Sequence, residues 1–281
     1  MAETGADDMC GLDGMFGLSG RTALVTGAGG HLGGAMVRAL AGAGARIYLA
    51  GRSLAPLETL AAELNDTRTA EAGASAQVLQ MDVTDAASVE VGLARITEES
   101  GRLDVLVNNA HSGKTGTLES ARAEDYTNAF AVSVQSMAEL VRKALPLLRH
   151  AVSESGQASV INISSMYGMV SPDPSIYGDS GHNSPPYYGA AKAAILQYTR
   201  YAAVHLAEEK IRVNAISPGP FPKARVAETM PELWETLNRK SPMKRVGQAR
   251  EIGGAAVFLA SDAASYVTGI NLPVDGGWTA W

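Results

Sequence analysis

The stretch from Thr22 to Gly33 reads TALVTGAGGHLG and decides the fold. The apolar run TALVT leads into a glycine-rich loop, and an apolar pattern of helical period follows from His31. A strand, a glycine loop and a helix in this order give a tight turn, close backbone approach and unpaired N–H groups at the positive end of a helix dipole. The order predicts a phosphate cradle, although a plain strand-to-helix turn could use the same glycines.

The alternation of short apolar runs with longer helical patterns continues along the chain. Strands are predicted at TALVT, ARIYLA, AQVLQM, LDVLVNN, ASVINIS, IRVNAIS and INLPV, with helices near 31–44, 54–64, 85–99, 124–149, 188–208 and 249–260. Strands that are apolar on both faces and separated by helices indicate a parallel sheet covered on each side. The sequence therefore predicts an α/β fold, a doubly wound parallel sheet of seven strands.

No linker, composition shift or internal repeat divides the chain, so a single domain is predicted over residues 19–281. A flexible N-terminal tail is predicted over residues 1–18, with Phe16 and Leu18 packing beneath the first strand. Residues 66–75 are predicted to form a polar surface loop. Segments 166–187 and 218–247 have little apolar period and follow the carboxyl ends of strands, where open α/β sheets bind their ligands. They are the predicted walls of a substrate pocket.

Composition excludes several classes of partner. The chain has 281 residues and a formal net charge of −6, and its basic residues are scattered, which argues against nucleic acid and anionic membranes. No apolar run has the length of a membrane span, and the acidic N-terminal segment lacks the basic start of a signal peptide. Cys10 is the single cysteine, which excludes an intrachain disulfide and a multi-thiolate metal site. We therefore expect no metal and a reducing cytoplasm.

The end of the second predicted strand bears on the choice of dinucleotide. An acidic residue there accepts a hydrogen bond from the adenine ribose of NAD, whereas a basic one accommodates the 2′-phosphate of NADP. Gly51 stands at that position, 24 residues after Gly27, and Arg52 follows it directly. The pair favours NADP(H) and leaves NAD(H) open, and Arg52 could instead cap a surface turn.

Two further clusters carry reactive groups. Tyr188 and Lys192 are four residues apart, so on a helix they share one face, and the ammonium together with a cationic nicotinamide is expected to lower the pKa of the phenol. Tyr187 has Ala191 at the matching position and is interpreted as structural. The same spacing also occurs by chance on helix surfaces. Ser164 and Ser165 end the preceding strand, where a hydroxyl can donate to a substrate carbonyl or simply cap a turn.

Taken together, these residues resemble the short-chain dehydrogenase/reductase family over residues 20 to 281. The landmarks that match, in order, are TGAGGHLG, MDVTD, NNA, ISSMYG, YGAAK, RVNAISPG and LPVDGG. The resemblance implies a Rossmann fold and an NAD(P)(H)-dependent oxidoreductase that interconverts a secondary alcohol and a ketone. It also implies Tyr188 as general acid/base, Lys192 as its partner and ribose ligand, and Ser165 as the group that polarises the substrate oxygen. The implied cofactor contacts are Gly27, Gly30, His31, Leu32, Gly33, Arg52, Asp82, Val83, Asn109, Ala110, Tyr188, Lys192, Pro218, Gly219 and Phe221.

Three substitutions depart from the family pattern. His31 stands where TGxxxGxG requires glycine, whereas the alternative spacing TGxxGxxG, which resembles the extended branch of the family, is complete with Gly27, Gly30 and Gly33. We interpret His31 as a ring that reaches the cofactor phosphates. His111 replaces the glycine of NNAG. Ser133 replaces the asparagine that usually joins the catalytic group, which weakens a water-linked proton relay through Lys192.

Ser165 and Tyr188 lie 23 residues apart, which indicates an insertion beside the tyrosine. Four prolines restrict it, and its side chains are largely polar, including Ser171, Asp173, Ser175, Tyr177, Asp179, His182 and Asn183. The insertion and the VDGGWTAW ending resemble gluconate 5-dehydrogenase-like and acidic-sugar-biosynthesis members. They favour a sugar or sugar-acid substrate, and packing against a neighbouring subunit is the alternative.

Two other functions remain open from the sequence. A 3-oxoacyl-carrier-protein or broad carbonyl reductase would need a basic patch, for which Lys223, Arg225, Lys240, Lys244 and Arg245 are available. A non-catalytic nucleotide-binding protein would not need Ser165, Tyr188 and Lys192 together. The resemblance further implies a homotetramer or homodimer, with Trp278 and Trp281 as interface anchors or as covers of a neighbour's pocket.

Overall fold

The computed structural model describes residues 11–66, 75–111, 113, 115–178 and 183–281. Its seven strands are β1 Thr22–Thr26, β2 Arg46–Gly51, β3 Ala76–Gln80, β4 Val105–Asn108, β5 Ala158–Ile163, β6 Ile211–Pro218 and β7 Asn271–Val274. They form one sheet in the order β3-β2-β1-β4-β5-β6-β7, and every neighbouring pair is parallel. This architecture confirms the predicted doubly wound sheet, and the order reverses between β1 and β4.

Helices cover both faces of the sheet. They are α1 Leu12–Phe16, α2 His31–Gly42, α3 Leu54–Asp66, α4 Ala86–Ser100, α5 Ala123–Phe130, α6 Ser136–Ser155, α7 Pro186–Leu206, α8 Arg225–Thr229, α9 Pro231–Lys240 and α10 Glu251–Ala260. One buried core joins the sheet to α2, α3 and α10, and a second joins it to α4, α6 and α7. Since both faces are buried, β1 and β5 contain no exposed residue, which is why these strands lack an alternating pattern.

The long helix predicted near 124–149 is interrupted. Residues Ala131–Gln135 form a π-helical segment between α5 and α6. A single π turn inside an α-helix adds a residue and rotates the side chains that follow it, and such turns are frequent at functional sites. Ser133 lies in this segment and is buried. Hydrophobic periodicity cannot reveal this extra residue, because α5 and α6 each keep their own helical period.

The two segments predicted to have little regular structure contain short helices. Residues 166–187 include 3₁₀ turns at Met166–Gly168 and Pro174–Tyr177, and residues 218–247 include α8 and α9. A small apolar cluster joins them, with Ile176, Leu237 and Val246 buried and Tyr177, Leu233, Trp234 and Trp278 packed around these three. Asp173 of the insertion also forms an ion pair with Lys240 of α9. These contacts anchor the described part of the insertion around Asp173 and Ile176 to α9 of the same chain.

The N-terminal tail, the polar loop and the insertion are only partly described. Residues 1–10 of the predicted tail, including Cys10, lie outside the described residues, as do 67–74 of the surface loop and Asp179 and His182 of the insertion. Within the tail, α1 buries no side chain, whereas Leu18 is buried in the core. Within the described part of the chain, no helix is long and apolar enough to cross a membrane.

Candidate active site

The carboxyl ends of the strands open onto one cleft of about 590 Å³. The glycine loop follows β1, Arg52 follows β2, Asp82 follows β3 and Asn109 follows β4, so the successive strand ends form one continuous wall. Every site residue that the sequence predicts lines this cleft: Gly27, Gly30, His31, Leu32, Gly33, Arg52, Asp82, Val83, Asn109, Ala110, Ser165, Tyr188, Lys192, Pro218, Gly219 and Phe221.

The glycine loop is shaped by two backbone requirements. Gly27 has a φ of +63°, a conformation that side chains with a Cβ rarely adopt. A Cβ placed on Gly33 would lie 2.2 Å from the carbonyl oxygen of Gly27, so the start of α2 can approach the loop only with glycine there. Gly30 caps α2 without a side-chain hydrogen bond, so no capping side chain occupies the first N–H groups of the helix, whose first residues line the cleft.

His31 is the first residue of α2 and is exposed at the cleft. Its position beside protein atoms lowers the pKa of its imidazole, and the nearby charge of Lys223 lowers it further. Both effects favour the neutral ring at pH 7. His31 can thus offer an N–H group at the helix start, without a full positive charge.

Thr26 links β1 to the residues that follow β4, the two strands between which the strand order reverses. The sequence did not indicate this role. The Thr26 hydroxyl oxygen accepts hydrogen bonds from the backbone N–H groups of Asn109 at 2.9 Å and Ala110 at 3.0 Å. In return, the Asn109 side-chain amide donates to the carbonyls of Thr26 and Gly27 at 3.0 and 3.1 Å. Asn109 thereby holds the first glycine of the loop.

Arg52 and Asp82 lie at the adenosine end expected from the fold. The Asp82 carboxylate accepts from the backbone N–H of Thr84 at 2.9 Å and from its hydroxyl at 2.7 Å. These hydrogen bonds, and to a smaller extent the charge of Arg52, lower the pKa of Asp82. Arg52 is exposed at the cleft, so its guanidinium is accessible to an anion there.

Tyr188 and Lys192 point from one face of α7 into the cleft, as the spacing predicts. The Lys192 ammonium donates to the carbonyl of Ile163 at 2.8 Å, and its nitrogen lies 5.7 Å from the centroid of the Tyr188 ring. Burial lowers the pKa of Lys192 to about 8. Burial also raises the pKa of the Tyr188 phenol, and its hydrogen bond with Ser165 only partly offsets this. Among the protein groups, burial therefore outweighs the neighbours and raises the Tyr188 pKa, while the lowering expected from the ammonium together with a cationic nicotinamide stays a prediction.

The two serines that end β5 make different contacts. Ser164 donates to the backbone carbonyl of Lys192 at 2.8 Å, so it fixes α7 against the sheet. Ser165 contacts Tyr188, and its oxygen accepts from the backbone N–H of Tyr167 at 3.2 Å. Only the Ser165 hydroxyl stands beside the phenol, where both can reach one substrate oxygen.

Comparison with known proteins agrees with this geometry. Residues 27–279 match the family model described as enoyl-(acyl carrier protein) reductase. The chain belongs to the short-chain dehydrogenase/reductase family. It is an NAD(P)-dependent oxidoreductase, as the resemblance implies.

Relatives within this family have diverse names. The galactitol 2-dehydrogenase (L-tagatose-forming) of Cereibacter sphaeroides is 35% identical, with 95% of this chain and 98% of the relative covered. The rhamnolipids biosynthesis 3-oxoacyl-[acyl-carrier-protein] reductase of Pseudomonas aeruginosa is 34% identical, with 94% and 98% covered. The structure of a gluconate 5-dehydrogenase from Burkholderia cenocepacia, in complex with NADP and tartrate, superposes with a TM-score of 0.80 at 29% identity, with 95% and 98% covered.

Other aromatic groups surround Tyr188. The rings of His111 and Tyr188 meet edge to face, with their centroids 5.0 Å apart. Tyr167 and Tyr177 are hydrogen-bonded to each other, and burial is the main cause of the raised pKa of Tyr167. The sequence showed His111 only as a departure from the short-chain dehydrogenase/reductase pattern, and Tyr177 only as one polar residue of the insertion. Their approach to Tyr188 depends on tertiary structure.

The cleft fits a nicotinamide dinucleotide of the kind this family uses. The uncapped start of α2 and the positive-φ Gly27 form a cradle for a pyrophosphate. Arg52 and Asp82 would hold the adenosine half, Asn109 and Ala110 would contact a ribose, and Lys192 would hold the nicotinamide ribose. Ser133, at the position of the usual asparagine, is buried beside the cleft rather than on its wall.

Proposed function

We propose that this protein interconverts a ketone and a secondary alcohol on a sugar or sugar-acid substrate, with NADP(H) as the favoured cofactor. The observation that carries the proposal is the grouping of Ser165, Tyr188 and Lys192 on the wall of one cleft that also contains the glycine cradle. Binding alone would not require a half-buried phenol and a buried ammonium one helical turn apart, which argues against a non-catalytic nucleotide-binding protein.

Each residue has a chemical task in this reaction. Nicotinamide, when bound, supplies or accepts the hydride. In ketone reduction, the hydroxyls of Ser165 and Tyr188 donate to the substrate oxygen, and Tyr188 transfers its proton to that oxygen as charge develops there. The raised pKa of Tyr188 keeps the phenol protonated before the reaction. The Lys192 ammonium then stabilises the phenolate that the transfer leaves behind.

Arg52 supports the choice of NADP(H). It follows β2 directly, where a 2′-phosphate would lie, and the neighbouring Gly51 offers no carboxylate to the ribose. The gluconate 5-dehydrogenase of Burkholderia cenocepacia binds NADP in its structure. NAD(H) remains the second cofactor to be measured.

The polar insertion supports a hydroxyl-rich substrate. Its described part packs against α9 through the cluster around Ile176, and the polar ring of Tyr177 in this cluster acts on Tyr188. The names of the galactitol 2-dehydrogenase and the gluconate 5-dehydrogenase point to the same substrate class.

An acyl-carrier-protein substrate is the alternative, and the name of the Pseudomonas aeruginosa reductase favours it. Such a partner would need exposed cations beside the cleft. Two of the five candidates are engaged in ion pairs, Lys240 with Asp173 and Arg245 with Glu251 at 2.6 Å. The remaining charge is a weaker attraction for an acidic carrier, so we favour the sugar substrate.

A substrate panel tests the proposal. Hydride transfer is followed at 340 nm with NADPH and with NADH on keto-sugars, keto-acids of sugars and acetoacetyl thioesters, and in reverse on the corresponding alcohols. We expect the highest kcat/KM on a keto-sugar or keto-acid with NADPH. Preference for the thioesters would replace this proposal with the acyl reductase, and a protein that binds NADPH but turns over none of these compounds would contradict an oxidoreductase acting on either class.

We further propose a homotetramer or homodimer in the cytoplasm. The late part of α7 supports this assembly, because Tyr201 and Val204 are 61% and 75% exposed, which leaves apolar surface uncovered in the single chain. Light scattering coupled to size exclusion would give the mass, and a monomer at micromolar concentration would contradict the assembly.

A further inference from the structure

His111 occupies a position beside the reacting group that the family pattern leaves empty. It follows Asn109 and Ala110 directly, where the resemblance implies glycine. The ring packs edge to face on Tyr188, with 5.0 Å between centroids and 64° between planes, yet His111 is exposed to the solvent of the cleft. The imidazole contacts the catalytic tyrosine and lies against Gly113, and His111 also lines the cleft in which a substrate would bind.

Gly113 lies beside this ring and leaves space for it. A Cβ on Gly113 would lie 2.8 Å from the Nε2 atom of His111, closer than side chains approach one another. A side chain at 113 would therefore shift the imidazole.

The charge state of His111 limits what it can bind. Surrounding protein atoms, and to a smaller extent the charge of Lys192, lower the pKa of the imidazole to about 4. The ring is therefore neutral at pH 7, with one N–H donor and one nitrogen acceptor. A hydroxyl group has the same combination, since it donates one hydrogen bond and accepts others.

The position of the ring indicates which hydroxyl it would meet. In the proposed reaction the substrate oxygen would lie at the hydroxyls of Ser165 and Tyr188, and the imidazole lies beside the Tyr188 ring on the cleft wall. A group attached to the next carbon of the substrate would then be the first to reach the imidazole.

We propose that His111 is a specificity-determining residue that hydrogen-bonds the substrate hydroxyl on the carbon next to the reacting carbon. This inference rests on the proposed function and narrows it to α-hydroxy ketones and the vicinal diols formed from them. Simple ketones lack the group that His111 binds.

A pair of probes, 3-hydroxybutan-2-one and butan-2-one, differs only in that hydroxyl. We expect His111→Gly to lower kcat/KM for the hydroxy ketone about tenfold and to leave butan-2-one within about twofold, since one hydrogen bond is lost. His111→Phe keeps an aromatic edge against Tyr188 without the hydrogen bond and should show the same selective loss. His111→Gln should recover part of the selectivity, and Gly113→Ala should reduce it with His111 still present.

Controls separate this inference from the proposed function. His150→Gln changes an exposed histidine beside Glu154 on α6, outside the cleft, and it should leave both probes unchanged. NADPH affinity, measured by fluorescence, should be the same for all variants. An equal loss on both probes would overturn the inference, because His111 would then only position Tyr188, while the proposed function would stand. If the wild type reduces no ketone of either kind, the proposed function fails and the inference fails with it.

Discussion

The Lys192 ammonium nitrogen lies 5.7 Å from the centroid of the Tyr188 ring, one turn away on α7. Lys192 is only 4% exposed, and its hydrogen bond to a β5 carbonyl holds it between the helix and the sheet. The pKa of each group is displaced toward the neutral form, down for the amine and up for the phenol. The phenol therefore stays protonated before the reaction. The ammonium stabilises the phenolate that remains once the proton has been transferred to the substrate.

Replacement of Tyr188 by phenylalanine should remove the proton donor and keep the ring. We expect kcat for ketone reduction to fall by about 10² to 10⁴, the range for loss of a general acid, with the NADPH dissociation constant changed less than about threefold. Stopped-flow hydride transfer and fluorescence titration measure the two quantities.

Tyr187 provides the matched control for this variant. It precedes Tyr188 on the same helix turn and packs edge to face on Tyr126, with 5.8 Å between ring centroids. Tyr187→Phe should retain most of the activity because the ring contact stays. Full turnover by Tyr188→Phe, or an equal loss in the two variants, would show that the phenol of Tyr188 is not the proton donor.

The buried ammonium should make stability depend on pH. The pKa of Lys192 is about 8 in the folded protein and near 10.5 when unfolded, so between these values the unfolded chain binds more protons. Stability of the wild type should therefore rise with pH across this window, relative to Lys192→Met, by on the order of 3 kcal/mol at most. Urea unfolding of both proteins from pH 7 to pH 10.5 gives the difference curve.

A difference curve that is flat, or that falls with pH, would contradict a lowered pKa for Lys192. The comparison uses the slope alone, because Lys192→Met also leaves the Ile163 carbonyl without its hydrogen bond at every pH. Lys210→Met, which changes an exposed lysine on the opposite edge of the sheet, gives the curve expected without a buried amine.

The neighbouring serines should separate chemistry from stability. Ser165→Ala removes the donor beside Tyr188, and we expect kcat to fall by about 10² to 10³ with little change in the midpoint of thermal unfolding. Ser164→Ala removes the 2.8 Å hydrogen bond to the Lys192 carbonyl, so it should cost about 1 kcal/mol of unfolding free energy while kcat stays within about threefold. The reverse pattern would assign the reaction to Ser164.

Local patterns were sufficient to predict the sheet and most of the cleft. A strand such as TALVT or INLPV can be recognised from a few consecutive apolar residues. Parallel strands then bring the residues at their carboxyl ends together, whatever the structure of the loops between them. This is why Arg52 and Asn109, distant in sequence, could both be placed on one wall.

Long-range packing accounts for what the sequence did not predict. The π-helical segment at Ser133 needs one extra residue, which leaves no mark in the helical period. The amphipathic helix α9 was missed because only a few apolar side chains, such as Trp234, face the small cluster. The pKa of Tyr188 was predicted from the cations expected around it, whereas burial by the surrounding fold raises it in this structure.

Cofactor preference should depend on Arg52. Removal of its charge with Arg52→Gln should weaken NADPH about tenfold to a hundredfold and leave NADH within about twofold, because only NADPH carries the 2′-phosphate. Arg52→Asp should go further and favour NADH. Dissociation constants from fluorescence titration at two salt concentrations give the ratio, and the wild-type preference should shrink as salt rises.

Lys223 provides the matched control for Arg52. Its charge acts on His31 at the start of α2, where the pyrophosphate would lie, so a phosphate common to both cofactors is its nearest anion. Lys223→Gln should weaken NADPH and NADH by the same factor. A change in the NADPH to NADH ratio on Lys223→Gln with none on Arg52→Gln would move the 2′-phosphate site from the end of β2 to the segment after β6.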